Sequence, residues 1–264
     1  MGKSSLIRSI SYARLSSYRH AFNCTDEEAL HYYYWNQVLS SELYILTHNI
    51  EICFRNQIHN ELSKEVSFVK KGNTLDNFNW FDFFEFLIPD TNSPSGKKLN
   101  QTGEAFKKIK KDLIRKNVPT TPQNIVSNLE FGKWAYILRT RSYNDGKPID
   151  WVKCLAKIFP NLNTSKKKNR EAMNARLEEI RLLRNRIAHL EPVWKFQSKQ
   201  INGSYVSAPT TPDEILKRLE IEIYWATTFL KWLCEDTYNS YIKTNSYKKL
   251  LKLITIDGIS DFEL

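Results

Sequence analysis

The sequence predicts an all-α fold, and three observations support that prediction. The chain of 264 residues contains only 8 glycines and 9 prolines, too few for a sandwich or barrel, in which turns recur about every ten residues. Hydrophobic residues make up 41% and charged residues 26%, a composition typical of a globular protein. Apolar residues also recur at steps of three and four along several segments, which is the spacing of one helical face. We therefore predict a single domain over residues 1–264, with N-terminal helices in 1–95 and the core in 96–264 as its sub-parts.

The longest predicted helix begins next to Thr25, whose side chain suits a capping position, and continues to about Val66. Glu27 and Glu28 would lie in the first turn, where acidic side chains interact favourably with the helix dipole. An apolar stripe runs along this segment and comprises Leu39, Leu43, Leu46, Ile50, Phe54, Ile58 and Leu62. Because the segment is unusually long, we expect a kink or break in it, whose position the pattern does not define.

The remaining segments are predicted mostly as helices. These cover residues 6–18, 101–116, 122–139, 149–159, 168–190 and 213–243, with one short helix in 246–264. Residues 70–99 contain aromatic residues and two prolines, which predict a short helix followed by a loop. Residues 163–169 are a lysine-rich connection, and 197–212 are a loop or small hairpin. The aromatic residues at 32–35 and 80–86 either stack on bases or belong to the core, and burial trends favour the core.

The net charge and the cysteine spacing indicate which binding partners and which cellular compartment to expect. The net charge of +10 attracts polyanions such as nucleic acid or an anionic membrane surface, although many basic proteins bind neither. No stretch approaches the ~20 apolar residues of a membrane span, and the polar N-terminus does not resemble a signal peptide. The cysteines lack the spacing of a metal site: Cys24, Cys53, Cys154 and Cys234. We therefore expect a cytoplasmic protein with no metal, no cofactor and no membrane partner.

The segment 180–194 carries the strongest indication of chemistry. Its apolar residues recur at helical steps and are expected to face the core: Ile180, Leu183, Ile187 and Leu190. Asn185 and His189 are four apart and lie on one flank of that helix. Arg184 precedes His189 by five residues, which places the two ~140° apart at ~100° per residue. They can converge on one phosphate only if the last turn unwinds near Pro192, or if a second copy completes the site.

These residue types suit phosphodiester cleavage without a metal. A histidine can take a proton from a ribose 2′-hydroxyl or give one to the leaving oxygen. An arginine fork can hold the phosphate and stabilise the charge that develops on it, and an asparagine can orient the imidazole. The alternative is a structural role, because histidines and arginines at the end of a helix commonly interact with its dipole.

A second polar cluster lies on the long N-terminal helix. Glu51, Arg55 and His59 are spaced four apart and would share one helical face, with Asn56 beside them. Such a face either forms scaffold ion pairs or brings a second arginine and histidine to the groove beside His189. On the later helix, further arginines near the histidine are candidates for substrate contacts: Arg181 and Arg186.

The segment Arg-Asn-Arg-Ile-Ala-His-Leu-Glu-Pro at 184–192 resembles the signature of Abi-like proteins of the HEPN superfamily, in which an arginine is followed by a histidine after four to six residues. Residues 11–19, 30–36, 51–56 and 131–134 resemble further segments of that family in the same order. The resemblance therefore extends from Ser11 to Trp194. One departure is Leu190, where many relatives carry a second histidine, and it removes an auxiliary proton donor.

The resemblance implies a HEPN-like helical bundle with additional N-terminal and inserted helices. It also implies homodimerisation and metal-independent cleavage of RNA by 2′-hydroxyl transesterification, which leaves a 2′,3′-cyclic phosphate and a 5′-hydroxyl. The implied catalytic residues are Arg184, Asn185 and His189. The candidate substrate-binding residues, taken from their positions on the two helices, are Arg55, Asn56, His59, Arg181 and Arg186. The implied biology is antiphage abortive infection or a toxin-like role, with restraint by an antitoxin protein or a small RNA left open.

Two alternatives remain at this point. The first is a HEPN-like module that binds RNA or a protein without cutting it. The second is a basic helical protein that recruits DNA or a membrane surface, which the charge of +10 also permits.

Overall fold

The computed structural model describes residues 3–162, 167–201, 204–260 and 262. Within these residues the chain forms twelve helices and two small two-stranded sheets. The prediction of an all-α fold is therefore confirmed. No helix in this part of the chain combines the length and the hydrophobicity that crossing a bilayer requires.

The chain divides into two compact units, each built from separate segments. Unit 1 comprises Met1–Asn49, Leu182–Lys231 and Asp236–Leu264, and unit 2 comprises Ile50–Arg181 and Trp232–Glu235. All four boundaries fall inside helices, and the first two lie between Asn49 and Ile50 and between Arg181 and Leu182. The prediction of a single domain over 1–264 stays a prediction.

The first helices of unit 1 are α1 (Lys3–Ile10) and α2 (Tyr12–Phe22). The single helix predicted over 6–18 is wrong, because Ser11 interrupts it with a φ of 87°. The hydroxyl of Ser11 accepts a hydrogen bond from the backbone N–H of Arg14 at 3.2 Å. Ser11 therefore caps α2.

The longest helix, α3 (Asp26–Lys71), has 46 residues. Thr25 and Glu28 start it with a capping box: the N–H of Thr25 donates to the Glu28 carboxylate at 2.8 Å, and the N–H of Glu28 donates to the Thr25 hydroxyl at 3.3 Å. The expected break is wrong, since α3 is continuous, whereas the kink stays a prediction. Every member of the predicted apolar stripe is buried, with an exposed fraction of at most 1%. This stripe stabilises the helix by burying apolar surface over residues 39–62.

Unit 2 continues from α3 with a 3₁₀ turn at Trp80–Phe83 and a hairpin of β1 (Leu87–Pro89) and β2 (Lys97–Leu99). The loop predicted after the short helix is wrong, because residues 87–89 and 97–99 pair as strands of a hairpin. In the turn of that hairpin Gly96 has a φ of 68°, and the N–H of Asp90 donates to the Gly96 carbonyl at 2.9 Å.

Four helices follow the hairpin in unit 2: α4 (Gln101–Arg115), α5 (Pro122–Ser127), α6 (Phe131–Ile137) and α7 (Trp151–Ile158). The single helix predicted over 122–139 is wrong, because α5 and α6 are separated by a turn in which Leu129 is buried. The aromatic residues from 80 to 86 pack on α4 and α6: Trp80 lies 5.9 Å from Phe106 and 6.3 Å from Trp134, centroid to centroid. Trp80 is fully buried, so the core interpretation of this cluster is confirmed.

The later part of the chain begins with α8 (Lys167–Ala188), which spans the boundary between the units. The remaining elements are a hairpin of β3 (Lys199–Ile201) and β4 (Ser204–Val206), then α9 (Pro212–Leu233), α10 (Glu235–Tyr241), α11 (Asn245–Leu253) and α12 (Ile256–Ser260). The helix predicted over 213–243 is wrong, because it ends at Leu233, whose carbonyl accepts from the Gln57 side chain at 3.2 Å. The tail contains two helices where one was expected. Of the lysine-rich connection, residues 163–166 lie outside the described residues.

A substitution at Gly103, in the first turn of α4, tests the packing of the β1–β2 hairpin on that helix. A Cβ on Gly103 would lie 2.8 Å from Cδ2 of Leu99 and 2.9 Å from Cβ of Phe86. We expect Gly103→Ala to lower the free energy of unfolding by about 1–3 kcal/mol, because overpacking forces the hairpin away from α4. Gly132→Ala in α6 is the control, since its nearest contact is 3.9 Å away and alanine favours a helix by about 1 kcal/mol. Urea denaturation measures both, and equal effects would contradict the packing argument.

Candidate functional site

The predicted catalytic motif lies where α8 ends and the chain reverses direction. The helical hydrogen bonds continue through the N–H of His189, which donates to the Asn185 carbonyl at 2.9 Å. The N–H of Leu190 then donates to Ile187 at 3.1 Å, and that of Glu191 donates to Arg186 at 2.9 Å. Leu190 has a φ of 57°. This pair of bonds around a left-handed residue is a Schellman motif, which satisfies the last carbonyls of the helix.

The expectation that Leu190 faces the core is wrong. Its exposed fraction is 73%, because the left-handed backbone turns the side chain out of the helical stripe. Ile180 is buried, as expected, while Leu183 and Ile187 are half-buried. The buried stripe of α8 therefore weakens towards its C-terminal end, where the motif begins.

Two side chains from the N-terminal helices fix the position of this turn. Nη1 of Arg14 on α2 donates to the Leu190 carbonyl at 2.8 Å. Oδ1 of Asn36 on α3 accepts from the Val193 N–H at 3.0 Å, and Asn36 is 5% exposed. Trp194 is buried and meets the rings of Tyr18 and Phe22 edge-on, each at a centroid distance of 5.2 Å. The chain after α8 is thus anchored on both sides of Pro192.

Within this turn the predicted catalytic residues differ in exposure. His189 is exposed and is the first residue beyond α8, whereas Arg184 and Asn185 are half-buried in its last turns. To bring the side chain of His189 towards Arg184, the last turn of α8 would have to unwind before His189. The helical hydrogen bonds continue through His189 instead. The two side chains therefore leave the helix axis ~140° apart. Asn185 and His189 share one flank.

Arg186 belongs to a cationic cluster around Phe196. Its guanidinium carbon lies 5.7 Å from the centre of the Phe196 ring, and that of Arg218 on α9 lies 5.5 Å from the same ring. Arg218 also pairs with Glu222 at 2.9 Å, and Lys199 pairs with the same carboxylate at 3.2 Å. This cluster joins the end of α8 to the β3–β4 hairpin and α9 within unit 1.

Sequence reasoning missed Arg218 and Glu222, although one signal pointed to them. They follow Ile215 at steps of three and four, within the apolar stripe of α9, and Arg218 is only 9% exposed. Charged residues on a stripe that faces the core require partners. Phe196 gave no comparable signal, because its role depends on contacts far along the sequence.

Arg181 is engaged by a carboxylate on its own helix. Its Nε and Nη2 donate to the two oxygens of Glu178 at 2.9 and 2.6 Å. The hydrogen bond from Arg181 lowers the pKa of Glu178 below its ordinary value, and the same bond raises the pKa of Arg181. Two of its donors are thus used within α8, which favours a structural role over a phosphate contact.

The second polar cluster lies in unit 2 and has a buried histidine. His59 is 7% exposed, its Nδ1 accepts from Nε1 of Trp80 at 3.1 Å, and its Nε2 lies 3.2 Å from Oδ1 of Asn77. An indole N–H can only donate, so the proton of the imidazole is on Nε2. Burial lowers the pKa of His59 below its ordinary value, against an opposing effect of the Asn77 hydrogen bond. These contacts favour the scaffold interpretation for His59. Arg55 is half-buried and Asn56 is exposed.

An open cleft of about 420 Å³ lies beside the turn, within unit 1. One wall is a face of α3 that carries Tyr33, Ser40 and Tyr44, and the other wall includes Leu190 and Glu191. The cleft therefore adjoins the residues that follow His189, although neither Arg184 nor His189 is among the described residues that line it. Its volume is in the range of small-ligand sites.

Metal-ligand and thiol chemistry has little support among the described residues. In the described ranges, no three His, Cys, Asp or Glu side chains are grouped in a way that could hold a metal ion. The four cysteines are thiols and not disulfides, and burial raises the pKa of Cys154 to about 12. A thiol with a raised pKa is a poor nucleophile at neutral pH.

Comparison with known proteins identifies the family. A family model described as Abi-like protein matches residues 5–195, well over half of the chain. The chain therefore belongs to the Abi-like protein family. The match covers Arg14, Asn36 and the whole turn after α8, and it ends one residue beyond Trp194. No curated protein and no solved structure matched the chain.

The contacts of His59 predict a specific pH dependence of stability. Because its pKa is lowered in the folded chain, stability is present above the unfolded pKa of about 6.5 and is lost as the pH falls below it. His59→Gln should remove this loss, which approaches about 1.4 kcal/mol per pH unit for one proton. Urea denaturation between pH 7.5 and 5 measures the difference from wild type, with His20→Gln, an exposed histidine, as the control. Parallel losses in wild type and His59→Gln would contradict the burial argument.

Proposed function

We propose that this Abi-like protein is an endoribonuclease of the HEPN superfamily that cleaves RNA by metal-independent 2′-hydroxyl transesterification. The observation that carries the proposal is the turn after α8. There the motif histidine, His189, is exposed directly beside Leu190, whose position Arg14 fixes through a 2.8 Å hydrogen bond. An exposed imidazole on a rigidly held backbone suits proton transfer to or from a bound substrate.

In the proposed reaction, each group has one task. His189 takes the proton of the ribose 2′-hydroxyl, and the 2′-oxygen attacks the adjacent phosphorus. The bond to the 5′-oxygen breaks, and this oxygen leaves with a proton as a 5′-hydroxyl, while a 2′,3′-cyclic phosphate remains. Arg184 holds the phosphate and stabilises the charge that develops on its non-bridging oxygens. Asn185 shares a flank with His189 and orients the imidazole.

The geometry of α8 favours a site completed by two copies of the chain. Arg184 and His189 leave the helix ~140° apart, so a second copy that brings its own α8 alongside would supply the missing group to each site. A two-fold axis of this kind gives two equivalent sites, each with Arg184 of one chain and His189 of the other, and solvent water protonates the leaving oxygen. Homodimerisation is thus part of the proposal.

RNA would be held by charge and by aromatic surface. The net charge of +10 attracts the phosphate backbone. Tyr33 and Tyr44 line the cleft beside the turn, and Tyr44 is 55% exposed, so both are suited to stack on bases of a single strand. We further propose an abortive-infection or toxin-type role for this activity, with restraint by an antitoxin protein or a small RNA, and a cytoplasmic location.

Replacement of His189 tests the activity. We expect His189→Ala to reduce the rate of RNA cleavage by at least about a hundredfold, because proton transfer by a positioned side chain contributes about 10²–10⁴. Cleavage by the wild type should persist in EDTA and leave 2′,3′-cyclic phosphate ends, and growth inhibition on expression should disappear in the variant. His20→Ala is the matched control, since His20 is another exposed histidine of unit 1.

Three outcomes of that experiment would contradict the proposal. Equal cleavage or equal toxicity of wild type and His189→Ala would exclude His189 as the catalytic group. RNA that is retained without turnover by the wild type would favour a binding module. Steeply salt-dependent DNA binding without RNA cleavage would favour the basic interaction protein. Circular dichroism of each variant confirms that the fold is intact.

Co-expression of two inactive variants tests the arrangement across two copies. If each site combines Arg184 of one chain with His189 of the other, a dimer of Arg184→Ala with His189→Ala contains one intact site. Every mixed dimer then retains one of its two sites, so we expect about half of the wild-type cleavage rate. If one chain supplies both groups, the mixture stays as inactive as each variant alone. The measurement is cleavage by differently tagged, doubly purified dimers.

A further inference from the structure

A second open cleft, of about 460 Å³, lies entirely within unit 2. Three segments form it: residues 85–88 at the start of the hairpin, the first turn of α4, and residues 136–142 at the end of α6 and beyond it. None of the motif residues discussed above belongs to it. Its volume is sufficient for a nucleotide.

One part of the cleft is apolar and aromatic although it is open to solvent. Leu87 is 43% exposed, Ile88 40% and Tyr136 42%. The guanidinium carbon of Arg139 lies 5.1 Å from the centre of the Tyr136 ring, which restricts the ring on one side. The exposed Tyr136 ring with apolar residues nearby suits a planar ligand such as a nucleobase.

The wall of the cleft also contains a carboxylate that has an unsatisfied oxygen. Oε1 of Glu85 is buried and has no hydrogen-bond partner among the described residues. The Glu85 backbone is fixed, because its N–H donates to the Ser142 carbonyl at 3.0 Å and Phe84 pairs with Tyr143. The terminal torsion of a glutamate is broad, so either oxygen can turn towards the cleft. A carboxylate only accepts hydrogen bonds, and the ligand it suits therefore carries N–H donors.

Two cations also line the cleft. Arg139 and Arg141 are both exposed and both line it. Neighbouring guanidinium groups can hold the oxygens of a phosphate by forked hydrogen bonds. The cleft thus combines a surface for a planar ring, an acceptor for N–H groups and a phosphate-binding pair.

We propose that this cleft binds a guanine nucleotide. The base lies against the Tyr136 ring beside the hairpin, one oxygen of the Glu85 carboxylate accepts from both N1–H and the exocyclic amino group of guanine, and Arg139 and Arg141 bind the phosphate. Guanine is the base whose Watson–Crick edge offers two adjacent donors to one carboxylate. Adenine and cytosine offer an amino group next to a ring acceptor, and uracil offers one N–H between two carbonyl oxygens that a carboxylate repels. The nucleotide is either free in solution or part of an RNA strand.

Titration of the full chain with guanosine 5′-monophosphate tests the proposal, with adenosine 5′-monophosphate and guanosine as the comparison ligands. Calorimetry should show that wild type prefers the guanine nucleotide over the adenine nucleotide by about tenfold or more. Glu85→Gln, which keeps the shape of the side chain, should abolish that preference. Arg139→Ala combined with Arg141→Ala should reduce the affinity for the nucleotide to that for guanosine. Glu104→Gln and Lys107→Ala change exposed charges on α4 outside the cleft and should bind as wild type does.

Short RNA strands that contain one guanosine or one adenosine distinguish the two sources of the ligand. Competition by the guanosine strand alone identifies a strand site, and binding of the monophosphate without such competition identifies a free nucleotide. The proposal is overturned if wild type shows no saturable binding of either guanine ligand, binds the guanine and adenine ligands equally, or keeps its preference in Glu85→Gln. His189→Ala should bind the nucleotide as wild type does, so failure of the ribonuclease proposal would leave this result unaffected.

Discussion

The hydrogen bond from Arg14 to the Leu190 carbonyl is the contact on which the candidate site depends. A Schellman motif ends α8 by itself, but it leaves the direction of the following chain to tertiary contacts. Arg14 fixes that direction at Leu190, and Asn36 fixes it again at Val193. Both partners come from helices more than 150 residues earlier in the sequence. The local backbone around His189 is therefore a property of the folded unit rather than of its own helix.

Periodicity predicted the helices well wherever one face is continuously apolar. The stripe of α3 was correct in every member, because the burial of large side chains at helical steps outweighs local preferences. The predictions failed where a single contact interrupts such a stripe, as at Ser11, whose backbone adopts a positive φ, and at Leu233, whose carbonyl is bound by Gln57. The β1–β2 hairpin was missed because its first strand is exposed throughout, so no alternation of polar and apolar residues marked it.

The candidate site could be predicted in part, since its residues are adjacent in the sequence and form a recognisable motif. Position along α8 was sufficient to place Asn185 and His189 on one flank. Contacts between residues far apart in the sequence were not predictable from spacing. Examples are the hydrogen bond from Trp80 to the buried His59 and the contact of Arg218 with the Phe196 ring. The buried oxygen of Glu85 that lacks a partner was not predictable either. The sequence therefore does not predict the side-chain contacts of the site where tertiary packing determines them.

The left-handed conformation of Leu190 restricts which amino acids evolution can place beside the motif histidine. Branched side chains such as valine and isoleucine are strongly disfavoured at a φ of 57°, whereas asparagine, aspartate, glycine and histidine tolerate it. The substitutions that this backbone accepts most readily are therefore the polar ones that could add a second reactive group next to His189. Their side chains would project into solvent as that of leucine does. Leucine at this position keeps the geometry of the turn while leaving that chemical option unused.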